Sequence, residues 1–284
     1  MKNVSYHPFW VLSVVKNDIQ RIELLDWTVC STIEVKKGNS PLKEFGEKFI
    51  TAMLPKSSLS CSDLWLFPKQ DYTADLLAKY SHIFQAVLKS VTGALVSSDG
   101  RVISYANGGR EPLTIPTIEP VTSHGVMPVT ESMLENAIKI SDNIVMLPRD
   151  QESQYTAVFR YLVDIRSSPV FIGELALWSF LEHRWARDKK NTGHDESLSV
   201  LLKLVYPGKD EKHNISLFNK KISAIGKSLG KDYDEKHLRN MLAHGKHSTL
   251  KDEWTNEQWR KFSEVHEQLF SIVIMGLMKE LEEI

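Results

Sequence analysis

The feature that most restricts how this chain can fold is a change in its apolar period near residue 128. Upstream of it, short β-branched and aromatic runs are broken by turn-forming residues. Downstream, apolar residues recur every three to four positions almost to the end. A period of two suits strands and a period of 3.6 suits helices, so one element type cannot serve both halves. A chain of 284 residues is long for one core and comfortable for two. The expectation is therefore an α+β protein. A mixed, β-rich α/β domain over 1–128 would precede an all-α helical bundle over 129–284.

In the first half the strand candidates are Phe9–Val15, Arg21–Val35 with its β-branched run from Trp27, and Asp63–Phe67. Helices are expected at Leu42–Met53 and Ala74–Ser90. Between the apolar runs Ala94–Ser98 and Arg101–Tyr105, Asp99-Gly100 reads as a hairpin turn. A stretch rich in Pro, Thr, Gly and Ser from Gly108 to Pro128 reads as the loop that joins the two halves.

The helical half is more regular. Thr130–Ile144 leads to a break at Pro148, and Glu152–Arg166 follows. Val170–Asp188 carries an apolar stripe of Leu175, Trp178, Leu181 and Trp185, read as core. Then come Glu196–Val205, His213–Leu229 stopped by Gly230, and Tyr233–His244 stopped by Gly245. The last helix, Asn256–Glu282, is apolar at Phe262, Val265, Leu269, Ile272, Val273, Leu277 and Leu281, and nearly all round between Leu269 and Met278. Such a helix must be covered on more than one face, by its own core or by a second copy.

Composition narrows the classes. With 42% hydrophobic and 25% charged residues the chain reads as an ordinary globular protein. Cys30 and Cys61 are too few for a secreted disulfide frame, which fits a reducing cytoplasm. The short apolar run Val11–Val15 makes neither a signal peptide nor a membrane span. The net charge of −1 hides an uneven distribution. Residues 182–251 hold 15 Lys and Arg against 9 Asp and Glu, and 252–284 hold 3 against 8. A basic stretch of that kind is a phosphate-binding surface or only a solvated face.

Within the basic stretch lies Leu238-Arg239-Asn240-Met241-Leu242-Ala243-His244-Gly245. An Arg followed at short range by a His is weak as a pattern, and Arg187…His194 and Arg260…His266 also satisfy it. Context separates the first. Asn240 follows the Arg directly, helix signals surround the string, and Gly245 closes it. On a regular helix Arg239 and His244 stand about 140° apart and cannot meet at one phosphate, whereas Asn240 and His244 share a face. The helix is thus expected to unwind at Ala243-His244-Gly245, and the working site to be composite across a symmetric dimer.

This string resembles the active-site motif of HEPN domains, and Leu175–Glu182 is similar to their early helix with its acidic residue. The order and separation of the two segments resemble the Apea-like HEPN branch. The likeness covers about 150–284; residues 1–128 resemble no family. It implies a metal-independent endoribonuclease acting as a homodimer without cofactor, with Arg239, Asn240 and His244 in the site and Glu182 orienting Arg239. It further implies antiphage defence by abortive infection, with cellular RNA such as tRNA as target and a phage protein as trigger. A toxin held by an antitoxin, and a catalytically silent HEPN module binding RNA or protein, stay open beside it. The chemistry suits the residues: a His exchanges protons near neutral pH, and an Arg donates to phosphate oxygens as charge gathers on them. Lys246, His247 and the series Lys220, Lys221, Lys227 and Lys231 are candidate RNA-phosphate contacts, or solvated side chains.

Overall fold

The computed structural model describes residues 19–39, 64–69, 74–93, 99–106, 109–116, 129–185, 194–208, 213, 216, 220 and 255–284. These residues are mostly helical and include a three-stranded antiparallel sheet and a two-stranded ribbon, an α+β composition. The chain divides into two compact units, Met1–Val163 and Asp164–Ile284. The expected joint at 128 lies before this division, because the first long helix after it packs on a helix of the first unit. The expected elements Phe9–Val15, Leu42–Met53 and Tyr233–His244 lie outside the described residues.

In the first unit, β1 (Arg21–Leu24) and β2 (Trp27–Ser31) form a hairpin in which Leu24 faces Trp27 across Leu25-Asp26. Leu25 sits at φ 48° with its side chain 48% exposed, a left-handed backbone held by a residue with no local advantage there. β2 also pairs with β3 (Leu64–Pro68), and every residue of both strands is buried. The strand expected to run on to Val35 stops at Ser31. The Ser31 hydroxyl accepts the Glu34 N–H and starts helix α1 (Thr32–Lys36), so a capping residue outweighs the β-branched run behind it.

Helix α2 (Ala74–Thr92) matches its expected span and sets Tyr80 face to face with Trp27, ring centroids 4.5 Å apart. The ribbon pairs β4 (Asp99–Ala106) with β5 (Gly109–Pro116), Ala106 opposite Gly109. Asp99-Gly100 is therefore no turn: the two residues pair with Pro116 and Ile115 inside the ribbon. The reversal falls between Ala106 and Gly109, across Asn107-Gly108 in the sequence, the dipeptide best suited to a two-residue hairpin. Residues 109–116 of the expected joining loop form β5, and the rest of that loop lies outside the described residues. α3 (Glu131–Met146), capped by Thr130, and α4 (Arg149–Ser167) follow. The inner face of α3 buries Leu134, Ala137, Ile138, Ser141 and Ile144, and Lys79 of α2 pairs with Glu152 of α4 at 2.5 Å.

In the second unit three described helices pack together: α5 (Val170–Arg184), α6 (His194–Val205) and α7 (Asn256–Glu282). α7 occupies its expected span. Thr255 and Gln258 form a capping box in which each side chain satisfies the other's backbone N–H. All seven of its expected core residues are buried, together with Phe270, Ile274 and Gly276, and the cover comes from the chain itself. A Cβ at Gly276 would collide with Leu201 of α6 and stand 3.0 Å from the Trp185 ring, so a glycine lets the three helices close. Three of the four residues of the expected stripe on α5 are buried, and others join them. Phe171, Glu174, Leu177, Trp178 and Leu181 are buried, followed by Trp185, while Leu175 is half-buried. No described helix is long and apolar enough to cross a membrane.

Candidate functional site

Of the residues that the sequence nominated, Arg239, Asn240, His244, Lys246, His247, Lys221, Lys227 and Lys231 lie outside the described residues. Lys220 is helical and exposed, as are His213 and Ser216, spaced as one helix face. Glu182 is half-buried on the last turn of α5, between Leu181 in the core and exposed His183. Trp178 and Trp185 are buried, so both serve the core rather than an open face.

The described part of α5 carries a buried polar cluster one to two turns ahead of Glu182. Glu174 is fully buried. Its Oε1 accepts the indole N–H of Trp178, one turn on, at 2.9 Å, and its Oε2 lies 2.5 Å from Nδ1 of His266 on α7. His266 is only 7% exposed, so the Glu174 carboxyl meets both partners in surroundings nearly free of water. Leaving such a group without its partner costs about 3–5 kcal/mol, which explains why the cluster is fully paired. Beside it, a Cβ on Gly173 would stand 2.8 Å from the Ile165 carbonyl oxygen, so the glycine lets α5 close on the end of α4.

These contacts fix how α5 lies on α7. Phe171 meets Phe262, Glu174 meets His266 and Arg184 meets Glu280, so residue numbers rise together and the helices run in the same direction. The Arg184–Glu280 pair, at 2.5 Å, is about one-fifth exposed on each side. Arg166, at the end of α4, adds a third tie: it pairs with Glu267 at 3.1 Å and lies 4.2 Å above the Phe270 ring. Burial pulls the Arg166 pKa down while Glu267 opposes that shift.

Sequence reasoning passed over Glu174 and His266. One available signal was Glu174 and Trp178 at a spacing of four, an acid and an N–H donor on one helix face inside an apolar stripe. The other was His266 among apolar neighbours of the last helix. The structure also separates the pair Arg260…His266 that matched by spacing. Arg260 is exposed and pairs with Glu257 and Glu264, whereas His266 turns inward.

The first unit holds a partly buried acid, Asp142 of α3. Burial pushes its pKa up to about 6, against the Tyr80 hydroxyl and Trp27 N–H that favour the anion, and nearby Asp26 adds to the rise. Cys30 in β2 is buried and its thiol is pushed up to about 11, chiefly by burial, which leaves it unreactive at neutral pH. No family model, curated protein or solved structure matches this chain.

Proposed function

We propose that this chain is a metal-independent endoribonuclease of the HEPN type, and that Arg239, Asn240 and His244 form its centre. The observation that carries the reading is the string Arg239-Asn240-Met241-Leu242-Ala243-His244-Gly245, set in a basic stretch between α6 and α7. The all-helical character of the described residues in the second unit supports it, as does the half-buried acid Glu182 on α5. In this mechanism a proton leaves the RNA 2′-OH, its oxygen attacks the adjacent phosphorus, and the 5′-oxygen departs with a proton. The products carry a 2′,3′-cyclic phosphate and a 5′-OH. His244 supplies proton transfer, and Arg239 stabilises the charge on the phosphate oxygens. The helical angle between Arg239 and His244 favours a site shared by two copies. Residues 1–128 would sense the trigger in an abortive-infection response to phage, with RNA such as tRNA cut in the cytoplasm.

The test is incubation of purified protein with total RNA in EDTA, wild type beside Arg239→Ala and His244→Ala. The wild type is expected to produce 5′-OH ends, and either substitution to lower the rate by about 10²-fold or more. Cleavage that needs a metal, or that survives both substitutions, would falsify the assignment. A protein that binds RNA equally well with and without His244, and cuts none, is a silent module.

A further inference from the structure

Glu182 belongs to a helix that is held at two points, and the holding residues have no part in the motif. Glu174 bonds to His266 of α7 near the start of α5, and Arg184 pairs with Glu280 of α7 at its end. Ten residues separate the two ties along α5, about 15 Å of rise, and they leave the helix about 80° apart in direction. Two ties on different flanks stop a helix from both sliding and rolling. Glu182 lies between them along the axis, about 80° around from Glu174 on the flank opposite to Arg184. A small roll of α5 would therefore swing the Glu182 carboxylate sideways.

The two ties differ in what resists that roll. Arg184 and Glu280 are partly solvated and joined through one carboxylate oxygen, so water can take the place of either partner. Glu174 is fully buried, engaged at both oxygens and wedged where Gly173 touches the end of α4. We infer that Glu174 and His266 are positioning residues, a buried clamp that sets the roll of α5 and thereby the placement of Glu182 in the RNA-cleaving site. The inference rests on the reading of that site given above. His266 is thereby assigned a role apart from proton transfer to RNA, and Glu174 acts through Glu182 rather than on substrate.

The experiment has two arms on the full chain. In the first, cleavage rates are measured for Glu174→Gln, Glu182→Gln and the double variant. Glu174→Gln is expected to lower kcat about tenfold and leave KM for RNA within about threefold, and the double variant to be no slower than Glu182→Gln alone. Losses that multiply in the double variant overturn the inference. In the second arm, amide hydrogen exchange across 178–184 is expected to rise in Glu174→Gln, and unchanged protection there overturns it without any reference to RNA. If Glu174→Gln does not fold, His266→Leu, which removes the ring nitrogen that meets Glu174, takes its place in both arms. Wild type that cuts no RNA in EDTA defeats the proposed function, and the exchange arm then decides the clamp alone.

Discussion

Each unit contains a carboxyl group drawn out of water, and the two are treated in opposite ways. Glu174 in the second unit is fully buried and meets two polar partners, the Trp178 indole N–H on its own helix and Nδ1 of His266 on α7. Asp142 in the first unit is less buried, yet burial and a neighbouring Asp26 outweigh the groups that favour its anion. Both carboxyls meet two polar partners, so the difference lies in the charges around them: Asp142 faces a second carboxyl, Asp26, whereas Glu174 faces the His266 ring. Glu174 is a fastening of its unit. Asp142 is a cost that its unit tolerates at neutral pH.

The comparison can be broken at either end. The largest effect is expected from Glu174→Ala, which leaves the Trp178 N–H and His266 Nδ1 without their acceptor and opens a space beside Gly173. A loss of about 3–5 kcal/mol is expected in urea unfolding of the second unit. A loss under about 1 kcal/mol would show that the cluster does not hold α5 to α7.

Asp142→Asn is expected to do the reverse and stabilise the first unit. A carboxyl whose folded pKa is raised contributes stability that is complete below its unfolded value of 3.8 and lost as pH rises through about 6. The variant and the wild type should melt together near pH 4 and diverge as pH approaches 7. The gain there, discounted for the solvent that still reaches Asp142, is about 1 kcal/mol. A gain that is the same at both pH values would mean that charge is not its origin.

The smallest effect is expected at the β1–β2 turn. Leu25→Gly removes the steric cost of a side chain at φ 48° and adds the entropy cost of glycine, a net gain of about 0.5 kcal/mol. Thermal melts of the first unit measure it, and a destabilised variant would show that the exposed leucine earns its place by packing.

How much was legible follows from the range of the interactions. α7 was readable because both of its determinants are local: the Thr255-Gln258 capping box and a core face repeating every three to four residues. α2 and α3 follow the same logic. The misreadings arise where two local signals compete. Ser31 caps a helix inside a β-branched run, and Asp99-Gly100 resembles a turn eight residues ahead of Asn107-Gly108. Both dipeptides are turn formers by composition, and the pairing of β4 with β5 decides between them.

The candidate site divides in the same way. The proposed chemistry rests on the contiguous string from Arg239 to Gly245, which Asn240 and Gly245, and not the Arg–His spacing, set apart from the two other matches in the chain. Glu182 was named through the resemblance of Leu175–Glu182 to an early HEPN helix. Its surroundings could not be named from the string of residues. Glu174 and His266 are 92 residues apart, and a buried hydrogen bond across that distance exists only after α5 and α7 have packed in the same direction. Periodicity marks which residues face inward, but the donor that a buried carboxylate meets there belongs to another helix and depends on packing.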